Sequence, residues 1–334
     1  MKEGNKERVY LSDWLYNAGI LGFLKINSDL FDIKTVGDKK EVKSKDENML
    51  KIGENYIEFD RKIFKDFSKR FFNFAFNQYL KFLYELIETL KDKEKFNYVY
   101  DRFKNLLTNY SLLKKKLGNI PPKKDFQGKE EQLKPLIEKA IGIMEQDREF
   151  WESEVQNYLR KIYGQKSFLN KSVNKDRFKK FYEDFEVPLT ENNVEKDKKY
   201  YCISCNERKA KKDSIFDTGI SKFYGLNPDA VNFAWNFNSK LPLCEICEIV
   251  YFSYFAAFTP MKKGDKTVYY FVNSDSSIYD LIVDNLLLEK SLNKENPLLE
   301  FFTELILESS YKEAVFTLQN IQILEIDLSE EVMP

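Results

Sequence analysis

The sequence predicts an α+β fold, mostly helical in its middle, with short β-hairpins and a four-cysteine insertion. Three observations predict it. Apolar residues recur at helical spacing from Ile63 to Leu90, short β-rich runs bounded by turn residues stand on either side of the helical middle, and all four cysteines fall in two CxxC pairs. These divide the chain into an N-terminal α+β segment (1–60), a helical region with a basic loop (61–195), a four-cysteine region (196–265) and a C-terminal α+β segment with an acidic surface (266–334).

Each element has a local reason. The segment Leu11 to Leu24 carries apolar residues at helical spacing behind a Ser12-Asp13 N-cap, so it predicts a helix. Gly19 and Gly22 are costly inside it, which points either to close approach of another backbone or to an early helix end. Asn17, Gly19 and Gly22 are expected to pack internally, the other reading being a docking surface for a neighbouring subunit. Met49–Ile52 and Tyr56–Phe59, separated by Gly53-Glu54-Asn55, read as a hairpin, and the charged run Asp38 to Asn48 before them as a loop.

One long amphipathic helix is expected over 63–90, followed by helices at 94–117 and 129–162. Between the last two, Gly118 to Lys124 contains Pro121-Pro122, which removes two backbone donors and excludes helix. Asn227 to Trp235 reads as an N-capped helix with Pro228 at its first position, and Trp235 as a core residue. Thr267–Val272 and Ile321–Leu328 are β-rich.

The 334 residues suffice for about two domains and a substantial core. Hydrophobic residues at 43% and aromatic residues at 16% exclude disorder over most of the length. Lys and Arg number 53 against 54 Asp and Glu, a net charge of −1 that excludes a uniformly basic coat. The distribution is uneven: residues 275–334 carry a net −10 and residues 1–274 a net +9. The chain contains no histidine, which removes the commonest general base, the Ser-His and Cys-His nucleophile pairs and every histidine-containing metal site. Its start is polar and its longest apolar stretch, Ile249 to Met261, is too short to span a bilayer, so a cytoplasmic protein with no membrane partner is expected.

Cys202-Ile203-Ser204-Cys205 and Cys244-Glu245-Ile246-Cys247 lie 38 residues apart and leave no cysteine over. Each two-residue spacer lets both sulfurs of a knuckle face one ion, so Cys202, Cys205, Cys244 and Cys247 are the expected ligands of a structural Zn²⁺. A thiol redox pair, an iron–sulfur cluster and free buried thiols are the other readings. Four thiolates around Zn²⁺ leave a formal charge of −2, and Arg208, Lys209, Lys211 and Lys212 follow the first knuckle to offset it. Cys244 and Cys247 precede an apolar run, placing them on the first turn of a helix whose dipole favours thiolate. A closed four-sulfur site has no open position, so the metal is expected to hold structure and not to catalyse.

The densest basic segment, Arg160 to Lys180, carries a net +7. Interleaved Tyr163, Phe168 and Phe178, with polar Gln165, Asn170 and Asn174, are the residue types of phosphate contact combined with stacking or groove insertion. The bland reading is a solvated face. Lys114 to Lys116 with Lys123 and Lys124 form a smaller patch that is read as solvated. Glu325-Ile326-Asp327 would set two carboxylates on one face of a strand, but no lysine follows at the spacing of Mg²⁺ nucleases. No phosphate-binding or dinucleotide-binding glycine motif occurs, and no catalytic residues are assigned.

Six segments in order, Trp14 to Phe23, Tyr163 to Asn170, the two cysteine pairs, Tyr270 to Asn273 and Asn320 to Ile326, resemble the CRISPR-associated CXXC-CXXC proteins, large subunits of the type I-B Cascade effector complex. The resemblance implies a non-enzymatic subunit at the 5′ end of the guide RNA. It implies recognition of the protospacer-adjacent motif in target double-stranded DNA, support of strand separation, partnership with other Cascade subunits, and later recruitment of a helicase–nuclease. Within it, Gly164 to Asn170 is expected to approach the minor groove. Gln165, Lys166 and Asn170 are the candidates for reading, while Lys171, Lys175, Arg177, Lys179 and Lys180 would contact phosphate. Such subunits continue into a C-terminal helical bundle, so a chain stopping at Pro334 reads as a fragment or a short variant. The alternative is a stand-alone zinc-ribbon nucleic-acid-binding protein.

Overall fold

The computed structural model describes residues 6–36, 39–109, 111–147, 155–156, 159–160, 162–163, 167–169, 176–190, 198–211, 218–224, 241–263, 266–291, 296–307 and 321–327. The chain divides into two compact units, Met1–Phe71 with Ile162–Pro334, and Phe72–Lys161. The α+β class holds: helices dominate the middle, and the strands form several small antiparallel sheets.

In the first unit, strand β1 (Lys6–Tyr10) leads into helix α1 (Trp14–Ile26). The Asp13 carboxylate caps α1 by accepting from the backbone N–H of Leu15 and Tyr16, each at 3.0 Å. Every residue of α1 except Trp14 and Lys25 is buried, as a helix apolar on nearly every side demands. The two glycines admit neighbouring backbone: a Cβ at Gly19 would collide with the Val250 carbonyl, and one at Gly22 with the Ser253 carbonyl. Close approach, and not an early end, is therefore why they are there.

Strands β2 (Phe31–Val36) and β3 (Lys39–Ser44) form a hairpin that pairs Ile33 with Val42. This corrects the expectation of a loop over 38–48. The run is rich in Lys and Glu, which disfavour strands, but pairing with β2 overrides a weak local preference. The next hairpin, β4 (Leu50–Ile52) and β5 (Tyr56–Asp60), is as expected, and β1 completes its sheet in the order β1-β5-β4.

The long helix starts later than its apolar pattern suggests. Arg61–Phe64 is a 3₁₀ turn, Asp66 takes a left-handed φ of 60°, and helix α2 runs Phe67–Thr89. The reason lies far away in the chain: the buried Glu186 carboxylate accepts from Asp66 N–H and Ser68 N–H, both at 2.8 Å, and so caps α2 from outside. Phe71 stacks on Phe181 with ring centres 4.5 Å apart, and Phe181 on Phe185 at 4.7 Å.

The second unit receives α2 and continues with α3 (Phe96–Asn109), α4 (Ser111–Leu117) and α5 (Leu133–Gln146). The single helix expected over 94–117 is thus two, and the one expected from 129 begins at Leu133 behind a 3₁₀ turn. Gly118, at φ 86°, ends α4 before the proline pair. The break is pinned to the core: Tyr100 donates to the Pro121 carbonyl at 2.8 Å, and Phe126 packs between Phe96 and Tyr100.

Back in the first unit, β8 (Thr259–Lys263), β9 (Lys266–Ser274) and β10 (Ile321–Asp327) form a sheet in the order β10-β9-β8. Val268, Tyr270 and Val272 of β9 bury against Leu287, Leu288, Phe301 and Leu305 of the helices Ile278–Ser291 and Pro297–Leu307. Asn285 ties one of these helices to the strand, its amide bonding both the N–H and the carbonyl of Val272. Among the described residues no helix is long and apolar enough to cross a membrane. The helix expected over 227–235, Trp235 included, lies outside the described residues.

Candidate metal centre

The Sγ atoms of Cys202, Cys205, Cys244 and Cys247 all lie within 4.8 Å of one another. Cys205 and Cys244 Sγ are 3.9 Å apart. A tetrahedral ion with bonds of about 2.3 Å to sulfur sets its ligands about 3.8 Å apart, so the four thiols suit one ion. Cys202, Cys244 and Cys247 are fully buried and Cys205 is partly so, a closed donor set. The residues present fit a metal ion, and among the described residues no other residue type enters the cluster.

Local structure shapes each knuckle. Cys202 follows strand β6 (Lys198–Tyr201), which pairs with β7 (Lys209–Lys211). Between them the chain turns through Asn206, at a left-handed φ of 52°, whose N–H donates to the Cys202 carbonyl at 2.9 Å. Cys202 N–H closes the turn on the Arg208 carbonyl at 2.8 Å. Cys244 is the N-cap of the cysteine helix, Glu245–Phe252, its sulfur accepting from Cys247 N–H at 3.5 Å. This is the dipole placement expected of the second pair. Ile203 N–H donates to the Pro242 carbonyl at 2.9 Å and joins the two knuckles.

Polar groups from elsewhere surround the sulfurs. Arg208 Nη1 lies 4.0 Å from Cys247 Sγ, while its Nε donates to Glu7 Oε2 at 2.7 Å and its Nη2 to the Arg8 carbonyl at 2.5 Å. Burial works against the charge on Arg208, but Cys244, Cys247 and Glu7 outweigh it and hold the guanidinium firmly protonated. The Tyr16 hydroxyl is 3.3 Å from Cys247 Sγ, its acidity suppressed by complete burial and then by that sulfur. Hydrogen bonds from Cys202, Cys244 and Cys247 pull the Cys205 thiol well down, towards thiolate.

Sequence reasoning found the four cysteines and Arg208, but Tyr16 and Glu7 carried no signal, because their partners are 231 and 201 positions away. Of the other cations expected to offset the charge, Lys209 places its Nζ over the Tyr201 ring at 5.8 Å, and Lys212 lies outside the described residues.

The basic segment is placed in part. Gln165, Lys166, Asn170, Lys171 and Lys175 lie outside the described residues. Arg177, Lys179 and Lys180 sit on the short helix Arg177–Phe181, capped by Asp176. Lys179 pairs with Glu183 at 3.8 Å and Lys180 with Asp184 at 2.5 Å, carboxylates one turn further on. Tyr163 and Phe168 correct the stacking expectation: both are buried, Tyr163 donating to the Phe252 carbonyl and Phe168 packing edge-on to Phe181. Their large apolar faces gain more inside the core than on a basic surface. In the smaller patch, Lys116 pairs with Asp147 and Lys123 with Asp101. Glu325 accepts from the Tyr270 hydroxyl across the β9–β10 ladder.

Compared with known proteins, the chain matches none of the curated proteins and none of the solved structures. A family model described as CRISPR-associated protein (Cas_CXXC_CXXC) matches residues 195–259, the stretch that contains both cysteine pairs, and supports a CRISPR-associated CXXC-CXXC protein with a role in CRISPR defence.

Proposed function

We propose that this chain is the large subunit of a type I-B CRISPR interference complex, a zinc-stabilised DNA-binding subunit and not an enzyme. It works with other Cascade subunits and the guide RNA, recognises the protospacer-adjacent motif in target duplex, and supports strand separation before a helicase–nuclease is recruited. The observation that carries this reading is the match of residues 195–259 to the CRISPR-associated family over the four-cysteine centre.

The packing supports it. Two segments of the resemblance meet the cysteine helix, Gly19 of the first lying against Val250 and Tyr163 of the second bonding Phe252, and Asn17 of the first bonds Asn273 on β9. A closed, four-sulfur donor set favours zinc in a structural role, with no position left for a reacting water.

Co-expression of the tagged chain with its genomic neighbours and a guide RNA tests the proposal. The expected result is a stoichiometric ribonucleoprotein whose motif-dependent duplex binding disappears when this subunit is omitted. A folded, metal-loaded chain that stays outside the particle and binds duplex specifically by itself would favour the stand-alone zinc-ribbon reading.

A further inference from the structure

The metal centre stands at the end of a line of charges that begins in the N-terminal sheet. Arg61, just after β5, donates to Glu7 Oε1 from Nε at 2.7 Å and pairs with it through Nη2 at 2.6 Å. Glu7, on β1, gives its other oxygen to Arg208 Nε at 2.7 Å. Arg208 grips β1 a second time at the Arg8 carbonyl and presents Nη1 to Cys247 at 4.0 Å. Helix α1 adds Tyr16, 3.3 Å from the same sulfur. Side chains of both Glu7 and Arg208 are only 15% exposed, so solvent screens the pair weakly.

The arrangement has a direction. Four thiolates on a divalent ion carry excess negative charge, and the groups that answer it at Cys247 are an arginine whose fork is held by β1 and a tyrosine carried by α1. Neither β1 nor α1 supplies a ligand. Yet without them the Arg208 fork loses both anchors and the sulfur loses its hydroxyl neighbour.

We propose that metal retention and docking of the N-terminal β1–α1 segment are one coupled equilibrium, transmitted through Glu7, Arg208 and Tyr16. Coupling of this kind is reciprocal: whatever frees Arg208 from β1 weakens the metal, and removal of the metal loosens the hold of Arg208 on β1. The inference depends on the metal centre alone and holds whether or not the chain joins a CRISPR complex. In it, Glu7 is a positioning residue that acts on the ion only through Arg208.

The test is the rate at which the intact, Zn²⁺-loaded chain gives up its metal to excess chromophoric chelator. Glu7→Gln is expected to release about tenfold faster, in the range typical of groups behind a metal ligand. Glu58→Gln is the control: it removes an ion-pair acceptor that ties Lys6 and Arg8 of β1 to β5 and not to Arg208, and should release at the wild-type rate. Arg208→Lys keeps the charge but loses the fork, and should behave as Glu7→Gln, which keeps the test open if Glu7→Gln folds poorly. Substituting Co²⁺ gives a second readout: Tyr16→Phe should shift the sulfur-to-metal absorption band while leaving one ion bound. Wild-type release from Glu7→Gln or Arg208→Lys would overturn the proposal, as would equally fast release from Glu58→Gln, which would show general loosening of the sheet.

Discussion

The side-chain amide of Asn17 donates to Oδ1 of Asn273 at 2.9 Å, joining α1 to β9 across 256 positions of sequence. The same nitrogen reaches Asp275 Oδ1 at 2.9 Å, and Asn17 Oδ1 accepts from Ser12 N–H at 2.8 Å. Asn17 is fully buried, so its bonds cannot be exchanged for water. Asn17→Leu should cost about 2 kcal/mol, because the buried Asn273 side chain is left without its partner. Urea titration reads this directly, and a loss below about 1 kcal/mol would mean that the network contributes only what an average hydrogen bond does.

The same substitution at two glycines should have opposite signs. Gly22→Ala drives a methyl into the Ser253 carbonyl, and backbone cannot step aside as a flexible side chain can, so a loss of about 3 kcal/mol or more is expected. Gly142, on α5, meets nothing outside its own helix within 4 Å of where its Cβ would be, among the described residues. Gly142→Ala should stabilise by roughly 0.5–1 kcal/mol through helix propensity and a less disordered unfolded chain. Thermal melts of both variants beside wild type decide it; equal shifts of the same sign would contradict the packing described.

Elemental analysis should find one equivalent of zinc per chain, and Cys205→Ser should lose both the metal and the fold of the four-cysteine region. A folded, metal-free wild type would remove the case for the centre.

Lys222 gives a pH signature. Its ammonium donates to the Ile162 carbonyl and lies over the Phe223 ring, and burial pulls its pKa down to about 8 from the usual 10.5. Between those two values the unfolded chain binds more protons at this site than the folded one, so the contribution of Lys222 to stability improves as pH rises through that window. Below pH 8 both states are protonated and the contribution is level. Lys222→Met should therefore flatten the stability profile between pH 8 and pH 10 relative to wild type. Above pH 10 the buried Tyr16, Tyr224, Tyr251 and Tyr254, all pushed up by burial, reverse the trend in both proteins. Parallel profiles for the two proteins would show that Lys222 titrates normally.

If the helix Arg177–Phe181 meets phosphate, Glu183 and Asp184 compete with it for Lys179 and Lys180. Glu183→Gln with Asp184→Asn should then tighten duplex binding for all sequences and steepen its salt dependence, by up to about one unit for each lysine released to a phosphate. Lys→Ala at 175, 179 and 180 should act in the reverse sense. Salt titrations of binding that coincide for all three proteins would exclude this helix from the interface.

Local pattern was enough to read the capped α1, the β4–β5 hairpin, the break at the proline pair, strands β9 and β10 of the C-terminal sheet and the four cysteines that cluster. Each depends on spacing or on the backbone rules of a few adjacent residues, and such rules act wherever the segment lies. Pattern failed at Ile63, where apolar periodicity runs unbroken but Glu186 caps the helix four residues later, and at Lys39–Ser44, where a partner strand overrides composition. It failed again at Tyr163 and Phe168, because an aromatic ring among lysines looks the same in sequence whether it faces solvent or core.

Residue pattern alone reads an α+β chain with four thiols spaced for one metal ion and with two glycines that leave close backbone approach and an early helix end both open. Folding in three dimensions settles the glycines in favour of the Val250 and Ser253 backbone, and brings Glu7, Tyr16 and Arg208 around Cys247. The difference is one of range. Torsional preference and ligand spacing are settled within a few bonds, whereas partners 201 and 231 positions apart are chosen by the burial of the whole core, which no local pattern records.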